Sequence, residues 1–585
     1  MIEAPRNLLT EWSHVIAASL VSAGIRDVVV SPGSRSTPFV LALRERRELR
    51  LTSVIDERAA AFVALGMGRA TGRAAAVLAT SGTAPAHWLP AVIEASLTNV
   101  PMLLLSANRP LALSHTGAAQ TIDQTKLFGG WVRLFTDLGD PRAERSALEG
   151  LARSVGQAVA VANDPSGGPV HLDLHADKPL EPVEASTDDE HALVVLAAEV
   201  AARGVARVTT AAAGGDEPFA RDFADALSRS KRPLVVLGPR RRRDDASAIR
   251  GACDALDLVV AAEATSQLRF GPRPKHAIDA SEIVFADAHF ARDHAPDLVL
   301  QIGSLPTAPT LECAWSSATR FVLDAGGIHD PLGGAVAISL ATAGLVMARI
   351  AELATPASRD VAWAHALQRA DAIAWGEVER SISSGCGEGP VVRAALAAAP
   401  SATLVVGNSL PIRTVDRFVP GGGPARRVIS QRGANGIDGL VSGAIGVAIA
   451  DGSPVLAIVG DVSFVHDLHA LAIAREVRSP LVVVVVDNGG GRIFESLPIA
   501  SVAATADAMP LFTTPHGIDL ALASRAFGVP CVETRDALET SRAVTRAMAT
   551  PCLTVVRAIV EPDDAHKAFL SLVTAFAARV HGATG

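Results

Sequence analysis

No apolar run in this chain approaches the roughly 20 residues needed to cross a bilayer, although hydrophobic residues make up 49% of it. A spanning helix is therefore excluded as the organising element, and the composition reads as soluble α/β. Cysteine is scarce: Cys253, Cys313, Cys386, Cys531 and Cys552 lie scattered, without disulfide or metal-ligand spacing. That suits buried thiols in a reducing compartment and offers no catalytic thiol. Excess positive charge is missing too, since 53 Lys and Arg against 61 Asp and Glu leave −8. This balance argues against a general nucleic-acid surface. The run Arg240 to Arg243 is too short to change that and reads as a solvated loop. Lysine occurs only at 126, 178, 231, 275 and 567, so Arg counts alone carry little weight. The opening MIEAPRNLLTEW shows neither the charged nor the apolar region of a signal peptide. A cytoplasmic enzyme is the expectation.

The 585 residues are too many for one core, and about 150 to 200 residues per domain suggests three or four. Three fit the pattern. In the first block, 1–185, apolar strands at Val28 to Val30, Leu51 to Ile55, Ala75 to Ala79, Met102 to Ser106 and Val170 to Leu174 alternate with Ala-rich helical stretches. A Pro-rich, acidic linker within HLDLHADKPLEPVEASTDDEH (171–191) leads to a second block, 186–358, with strands at Leu234 to Leu237, Leu258 to Ala261, Leu298 to Ile302 and Phe321 to Leu323. TPASRDV marks the boundary to the third block, 359–585. The predicted fold class is α/β, three doubly wound parallel-sheet domains.

The densest chemistry lies between Ser453 and Phe494. Val455 to Val459 and Leu481 to Val486 read as parallel strands buried on both faces, and Leu468, Leu471, Ala472 and Val477 between them predict a crossover helix. The strands end in Gly460-Asp461 and Asp487-Asn488-Gly489-Gly490-Gly491, where open α/β sheets bind ligands. A carboxylate from Asp461, an amide oxygen from Asn488 and a carbonyl from Gly490 are hard ligands of the kind Mg²⁺ accepts, with phosphate oxygens completing the shell. Three glycines let a diphosphate approach the backbone. Each signal alone is common; together at crossover spacing they point to a metal and diphosphate site.

A second copy of this pattern occurs early. LATSGTAPAHWLPAVIEASLTNVPMLLLSAN and AIVGDVSFVHDLHALAIAREVRSPLVVVVVDN both run strand, small polar turn, Leu- and Ala-rich helix, Pro, strand. The first and third blocks therefore read as two copies of one nucleotide-fold domain, only one of them carrying the metal signature. SPGSRSTP (31–38) places Ser34 and Arg35 after the first strand, and an acid, Glu57, sits between a strand and an apolar helix.

The Asp461 to Asn488 stretch resembles the signature of thiamine-diphosphate enzymes, with Val462 where the family usually has Gly and Asp487 where it usually has a second Asn. The resemblance implies pyrimidine-binding (1–185), central Rossmann-like (186–358) and diphosphate-binding (359–585) domains, and sites shared across a homodimer, in a dimer of dimers. It places thiamine diphosphate on Glu57, Ser409, Ile437, Asp461, Val462, Ser463, Asn488 and Gly490, with Mg²⁺ or Mn²⁺ on Asp461, Asn488 and Gly490. Glu57 would bond the aminopyrimidine, a shared proton that a desolvated carboxylate can support. Ile437 would hold the two rings in their V shape.

SPGSRSTP, DERAAAFVALGMGRA, TSGTA, SANRP, GAAQTIDQ, GNSLPIR, RGANGIDG and GDVSFVHDL, in that order, look more closely like the carboligating transferases of menaquinone biosynthesis. That resemblance implies decarboxylation of 2-oxoglutarate and addition of the succinyl-semialdehyde carbanion equivalent to isochorismate. It implies substrate contacts from Ser34, Arg35, Arg109, Gln120, Ser409, Arg413 and Arg432. Both substrates are dianions, which Arg forks hold without protonating. The family often has a basic residue in the segment matching GSLPTAPTLE (303–312), and this chain has none there. The alternatives are an acetolactate-synthase-like carboligase or another 2-oxoacid decarboxylase, disfavoured by the Arg residues, and a non-catalytic regulator, opposed by Glu57, Asp461 and Asn488.

Overall fold

Runs of Val, Leu, Ile and Ala too apolar to face water build three six-stranded sheets, and every strand pairing is parallel. The computed structural model describes residues 7–582 except 186, 210–213, 241–244, 356–357, 503–506 and 563. The first sheet contains β1 (Asp27–Val30), β2 (Arg50–Ser53), β3 (Ala75–Ala79), β4 (Met102–Asn108), β5 (Leu134–Asp137) and β6 (Pro169–His175), in the order β2-β1-β3-β4-β6-β5. The second contains β7 (Pro233–Leu237), β8 (Val259–Ala262), β9 (His276–Ile278), β10 (Leu298–Ile302), β11 (Thr319–Leu323) and β12 (Ala335–Ser339), in the order β12-β11-β10-β7-β8-β9. The third contains β13 (Thr403–Val406), β14 (Val428–Ser430), β15 (Val455–Gly460), β16 (Leu481–Asp487), β17 (Cys531–Thr534) and β18 (Leu553–Ile559). Its order, β14-β13-β15-β16-β18-β17, repeats that of the first sheet strand for strand.

By its contacts the chain divides into two units. One takes Met1–Thr210, Gly433–Gly452 and Asp467–Arg478; the other takes Ala211–Arg432, Ser453–His466 and Ser479–Gly585. In the first unit, Leu103 and Leu105 of β4 and Val170 and Leu172 of β6 share a core with the helices Leu8–Ser22, Arg145–Asn163 and Asp188–Arg203. The helix Asp188–Arg203 begins in a Thr187/Glu190 capping box and buries Leu193, Ala197 and Val200 there. In the second unit the middle sheet is covered on both faces by strict alternation. Leu234 and Val236 meet Trp363 and Leu367 of the helix Val361–Ser381, while Val235 and Leu237 meet Phe219, Phe223 and Met347. No helix among the described residues is long and apolar enough to cross a membrane.

The predicted crossover helix between β15 and β16 is not continuous. A short helix, Asp461–His466, is followed by a 3₁₀ stretch, Leu468–Glu476. The break falls at Asp467, which is fully buried and accepts from Ser442 N at 2.7 Å and Ser442 Oγ at 2.9 Å. Satisfying the start of the helix Leu440–Asp451 thus takes precedence over continuing a helix of its own.

That helix is apolar all round, buried from Leu440 to Ile449, and lies against the helix Glu57–Thr71. The approach is close enough that a Cβ on Gly66 would stand 2.1 Å from the Gly443 carbonyl oxygen. Gly66→Ala should therefore lower stability by about 1 to 3 kcal/mol or more through overpacking. By contrast, Gly150→Ala lies inside the helix Arg145–Asn163 with its nearest new neighbour, Arg153 Nη2, at 3.6 Å. It should gain about 0.5 to 1 kcal/mol. Urea midpoints of the two variants check this, and an unshifted midpoint for Gly66→Ala would mean the two helices do not touch there.

Candidate active site

β15 and β16 pair side by side up to Gly460↔Val486, so Asp461 and Asn488 leave the third sheet as neighbours. Asp461 is buried. Its Oδ1 accepts from Val462 N at 2.7 Å and its Oδ2 from Gly490 N at 2.7 Å, with His516 Nε2 at 3.3 Å. Burial pushes the Asp461 carboxyl up to about 6, and the nearby Asp487 adds to this. A cation bound there would relieve that cost.

Asn488 is the clearest sign of one. Its Oδ1 is buried with no hydrogen-bond partner among the described residues, while its Nδ2 lies 3.5 Å from Glu388 Oε2. An open hard acceptor beside a buried carboxylate fits a divalent ion. Gly490 (φ +141°) has no room for a side chain, since a Cβ would meet the Thr513 carbonyl oxygen at 2.3 Å. Val462 is half-buried and Ser463 buried in the short helix Asp461–His466. His516 belongs to no sequence motif, yet its ligand nitrogen and carboxylate oxygens of Asp461 and Asp487 lie within 4.8 Å of one another. Asp487, the departure from the family's Asn, is met by Arg557 Nε at 2.7 Å, which balances its charge.

Along the same sheet edge, Ser409 follows β13, the neighbour of β15, and Arg432 follows β14, the edge strand beyond β13. Ser409 sits at φ +69° before the helix Leu410–Phe418, and its carbonyl accepts from Arg413 Nη1 at 2.7 Å. Burial lowers the Arg413 pKa; Glu282 opposes this, and Arg417 and Arg432 add to it. Arg432 Nη1 reaches Asn408 Oδ1 at 3.4 Å, and its buried Nε has no partner among the described residues.

The first unit presents a parallel set. Ser34 and Arg35 form a 3₁₀ turn, Ser34–Ser36, after β1. Arg35 is buried, with Nη1 donating to the Ala176 carbonyl at 2.6 Å and Nε without a partner among the described residues. Burial lowers its pKa, and the charge of Arg109 lowers it further. Arg109 donates to Ser81 Oγ at 3.3 Å and to the Ala119 carbonyl at 2.7 Å, while Gln120 (φ +57°) donates from Nε2 to the Ser81 carbonyl at 3.2 Å. Ser34, Arg35, Arg109 and Gln120 therefore gather at the ends of β1, β3 and β4. Glu57, half-buried, opens the helix Glu57–Thr71, which Asp56 caps by accepting from Ala59 N at 2.8 Å. Ile437, also half-buried, lies in the loop before the helix Leu440–Asp451. Glu94, ion-paired with buried Arg69, anchors that loop by accepting from Gly433 N and Ala434 N.

Glu57 and Ile437 thus belong to the first unit, and Asp461, Asn488 and Gly490 to the second. In the 303–312 loop, Thr307 N donates to Glu263 Oε2 at 2.7 Å. Arg240 is no solvated residue. Its side chain is 8% exposed and paired with Asp245, while 241–243 lie outside the described residues. Burial pushes the Cys253 thiol up to about 12, so it supplies no thiolate.

Residues 10–127 match the family described as "Thiamine pyrophosphate enzyme, N-terminal TPP binding domain", and 417–558 match "Thiamine pyrophosphate enzyme, C-terminal TPP binding domain". A solved thiamine diphosphate-dependent 4-hydroxybenzoylformate decarboxylase of Rhodococcus jostii RHA1 shares the fold, with TM-score 0.71 and 18% identity over 94% of this chain and 99% of that one. The 2-succinyl-5-enolpyruvyl-6-hydroxy-3-cyclohexene-1-carboxylate synthase of Sorangium cellulosum is 40% identical over 95% of this chain and 94% of its own length. The enzyme of that name from Halobacterium salinarum is 35% identical over 96% and 97%. With such identity along nearly its whole length, the chain belongs to the family of 2-succinyl-5-enolpyruvyl-6-hydroxy-3-cyclohexene-1-carboxylate synthases, among the thiamine pyrophosphate enzymes.

Proposed function

We propose that this chain decarboxylates 2-oxoglutarate with thiamine diphosphate and Mg²⁺ or Mn²⁺ and transfers the remaining four carbons to isochorismate. The products are CO₂ and 2-succinyl-5-enolpyruvyl-6-hydroxy-3-cyclohexene-1-carboxylate, in menaquinone biosynthesis. The observation that carries this reading is two neighbouring Arg pairs, Arg35 with Arg109 and Arg413 with Arg432, none of them salt-bridged to a carboxylate among the described residues. Such pairs suit dianionic substrates. Apolar 2-oxoacids, the substrates of an acetolactate-type enzyme, would leave most of those charges unmatched.

When bound, the cofactor supplies a nucleophilic ring carbon and an electron sink. Asp461, Asn488 and the Gly490 carbonyl would hold the cation that binds the diphosphate, with Val462, Ser463 and Ser409 as further cofactor contacts. Ile437 would support the rings, and Glu57 would hold a proton at the aminopyrimidine. Ser34, Gln120 and the four arginines fix carboxylates, and the guanidinium groups stay charged and donate no proton. The 1–185 region binds the pyrimidine and 359–585 the diphosphate, with 186–358 between them. Each site takes one half from each of two copies, in a homodimer that pairs into a dimer of dimers, in the cytoplasm. The repeated strand order and the family's architecture support this arrangement.

The test is CO₂ release from 2-oxoglutarate, and product formation with and without isochorismate, beside a pyruvate control. Product should require both substrates; turnover of pyruvate in their place would establish the acetolactate-type alternative. Asp461→Ala should abolish metal-dependent retention of thiamine diphosphate, read by titrating the apoprotein with cofactor at varied Mg²⁺. Unchanged affinity would remove Asp461 from the cation site. Glu57→Gln should keep cofactor affinity within a fewfold and slow hydrogen exchange at the thiazolium carbon by orders of magnitude, followed by NMR, because an amide cannot share that proton. Exchange at the wild-type rate would take Glu57 out of the mechanism.

A further inference from the structure

The end of β6, in a stretch whose polar residues read as the start of a linker, carries a buried charge cluster that the proposed reaction does not use. Asp173 is 2% exposed and His175 4%. β6 pairs with β4 in the register Ser106↔Asp173 and Asn108↔His175, which sets these side chains against the segment leading into Arg109. Asp173 Oδ1 accepts from Ser106 Oγ and Oδ2 from Asn108 Nδ2, both at 2.7 Å. Asn108 is then fixed so that its own Oδ1 accepts from Arg109 N at 2.8 Å.

His175 secures the next residues of the same loop. Its Nδ1 lies 2.8 Å from Asp140 Oδ1 and its Nε2 3.2 Å from Asp137 Oδ1, and Asp140 Oδ1 faces Leu111 N at 3.4 Å. Burial opposes charge on the imidazole, but the hydrogen bonds to Asp137 and Asp140 outweigh it and carry His175 up to about 9. The ring is thus an imidazolium at neutral pH, able to bridge the aspartates. One residue on, Ala176 N donates to the Asn108 carbonyl at 3.0 Å and the Ala176 carbonyl accepts from Arg35 Nη1 at 2.6 Å. Both arginines of this half are therefore referenced to the end of one strand.

We propose that Asp173 and His175 are positioning residues, holding the backbone from Asn108 to Leu111 so that Arg109 presents its guanidinium to a substrate carboxylate. This rests on the reading that places Arg109 in the substrate pocket. Neither residue touches substrate; each acts through the hydrogen bonds just traced.

The experiment is a double-mutant cycle of Asp173→Asn and Arg109→Ala in the full-length holoenzyme. KM and kcat are measured for each substrate in turn, alongside thiamine diphosphate affinity and a melting curve. Asp173→Asn should raise KM for one substrate about tenfold, the cost of misplacing one charge-assisted contact, with kcat and cofactor affinity within twofold. Arg109→Ala should raise KM for the same substrate, and adding Asp173→Asn to it should raise KM no further. His175→Gln provides a second route should Asp173→Asn fail to fold. It should raise the same KM about threefold, again only when Arg109 is present. If either β6 variant raises KM equally with and without Arg109, or leaves KM unchanged while Arg109→Ala raises it, the positioning role is overturned alone. Wild-type KM values for both substrates in Arg109→Ala would overturn the placement of Arg109 and this proposal together.

Discussion

A parallel sheet buried on both faces leaves only its strand ends for polar chemistry. The first and third sheets obey this closely. Their interior strands β3, β4, β15 and β16 are buried almost throughout, and polar side chains begin where the strands stop. Ser34, Ser81, Arg109, Ser409, Arg432, Asp461 and Asn488 all stand within four residues of such an end. In each unit, taken by itself, these residues therefore lie on loops whose addresses are fixed by strand order.

The loops are held mainly by buried or half-buried carboxylates that accept distant backbone amides. Glu94 takes Gly433 N and Ala434 N, Asp467 takes Ser442 N, Asp416 takes Ala264 N and Glu263 takes Thr307 N. Each such acid is costly to bury. Burial pushes Asp467 and Asp416 up to about 7, with Glu263 adding to the shift of Asp416. Charge-assisted bonds to backbone amides offset that cost and fix position better than packing of small side chains would. In a chain this rich in Ala and Gly, that matters at the edges of helices that bury few large groups.

Much of this was legible in the sequence because buried strands are apolar without a break. The three sheets, the repeat between the first and third, and the neighbouring placement of Asp461 and Asn488 follow from such runs and what terminates them. Five strands were not read from the sequence: β5, β9, β12, β17 and β18. The first four are edge strands, and β5, β12 and β17, exposed on one side, mix polar and apolar residues in a pattern without a clear period; β18 is interior, but Thr554 and Arg557 interrupt its apolar run. His516 escaped for another reason, since 55 residues separate it from Asp461 and only the folded chain brings them together. Asp173 and His175 were hidden because alternating acid and imidazole at the end of a strand reads as the start of a linker. The break at Asp467 depends on Ser442, a tertiary partner that local helical spacing does not reveal.

The register shared by the first and third sheets permits a residue-for-residue comparison. Counting from the paired residues Ala75 and Met102, Ser81 and Arg109 stand six and seven places on; from Val455 and Leu481, Asp461 and Asn488 stand at the same two places. One sheet end offers a hydroxyl and a guanidinium, already in contact at 3.3 Å; the other offers a carboxylate and an open amide oxygen. The polarity of each end is thus written at two positions of a common wiring, basic at one end and acidic at the other. A carboxylate at position 81 would neutralise Arg109 from within its own sheet, so the two ends can share a scaffold only by keeping opposite signs at those positions.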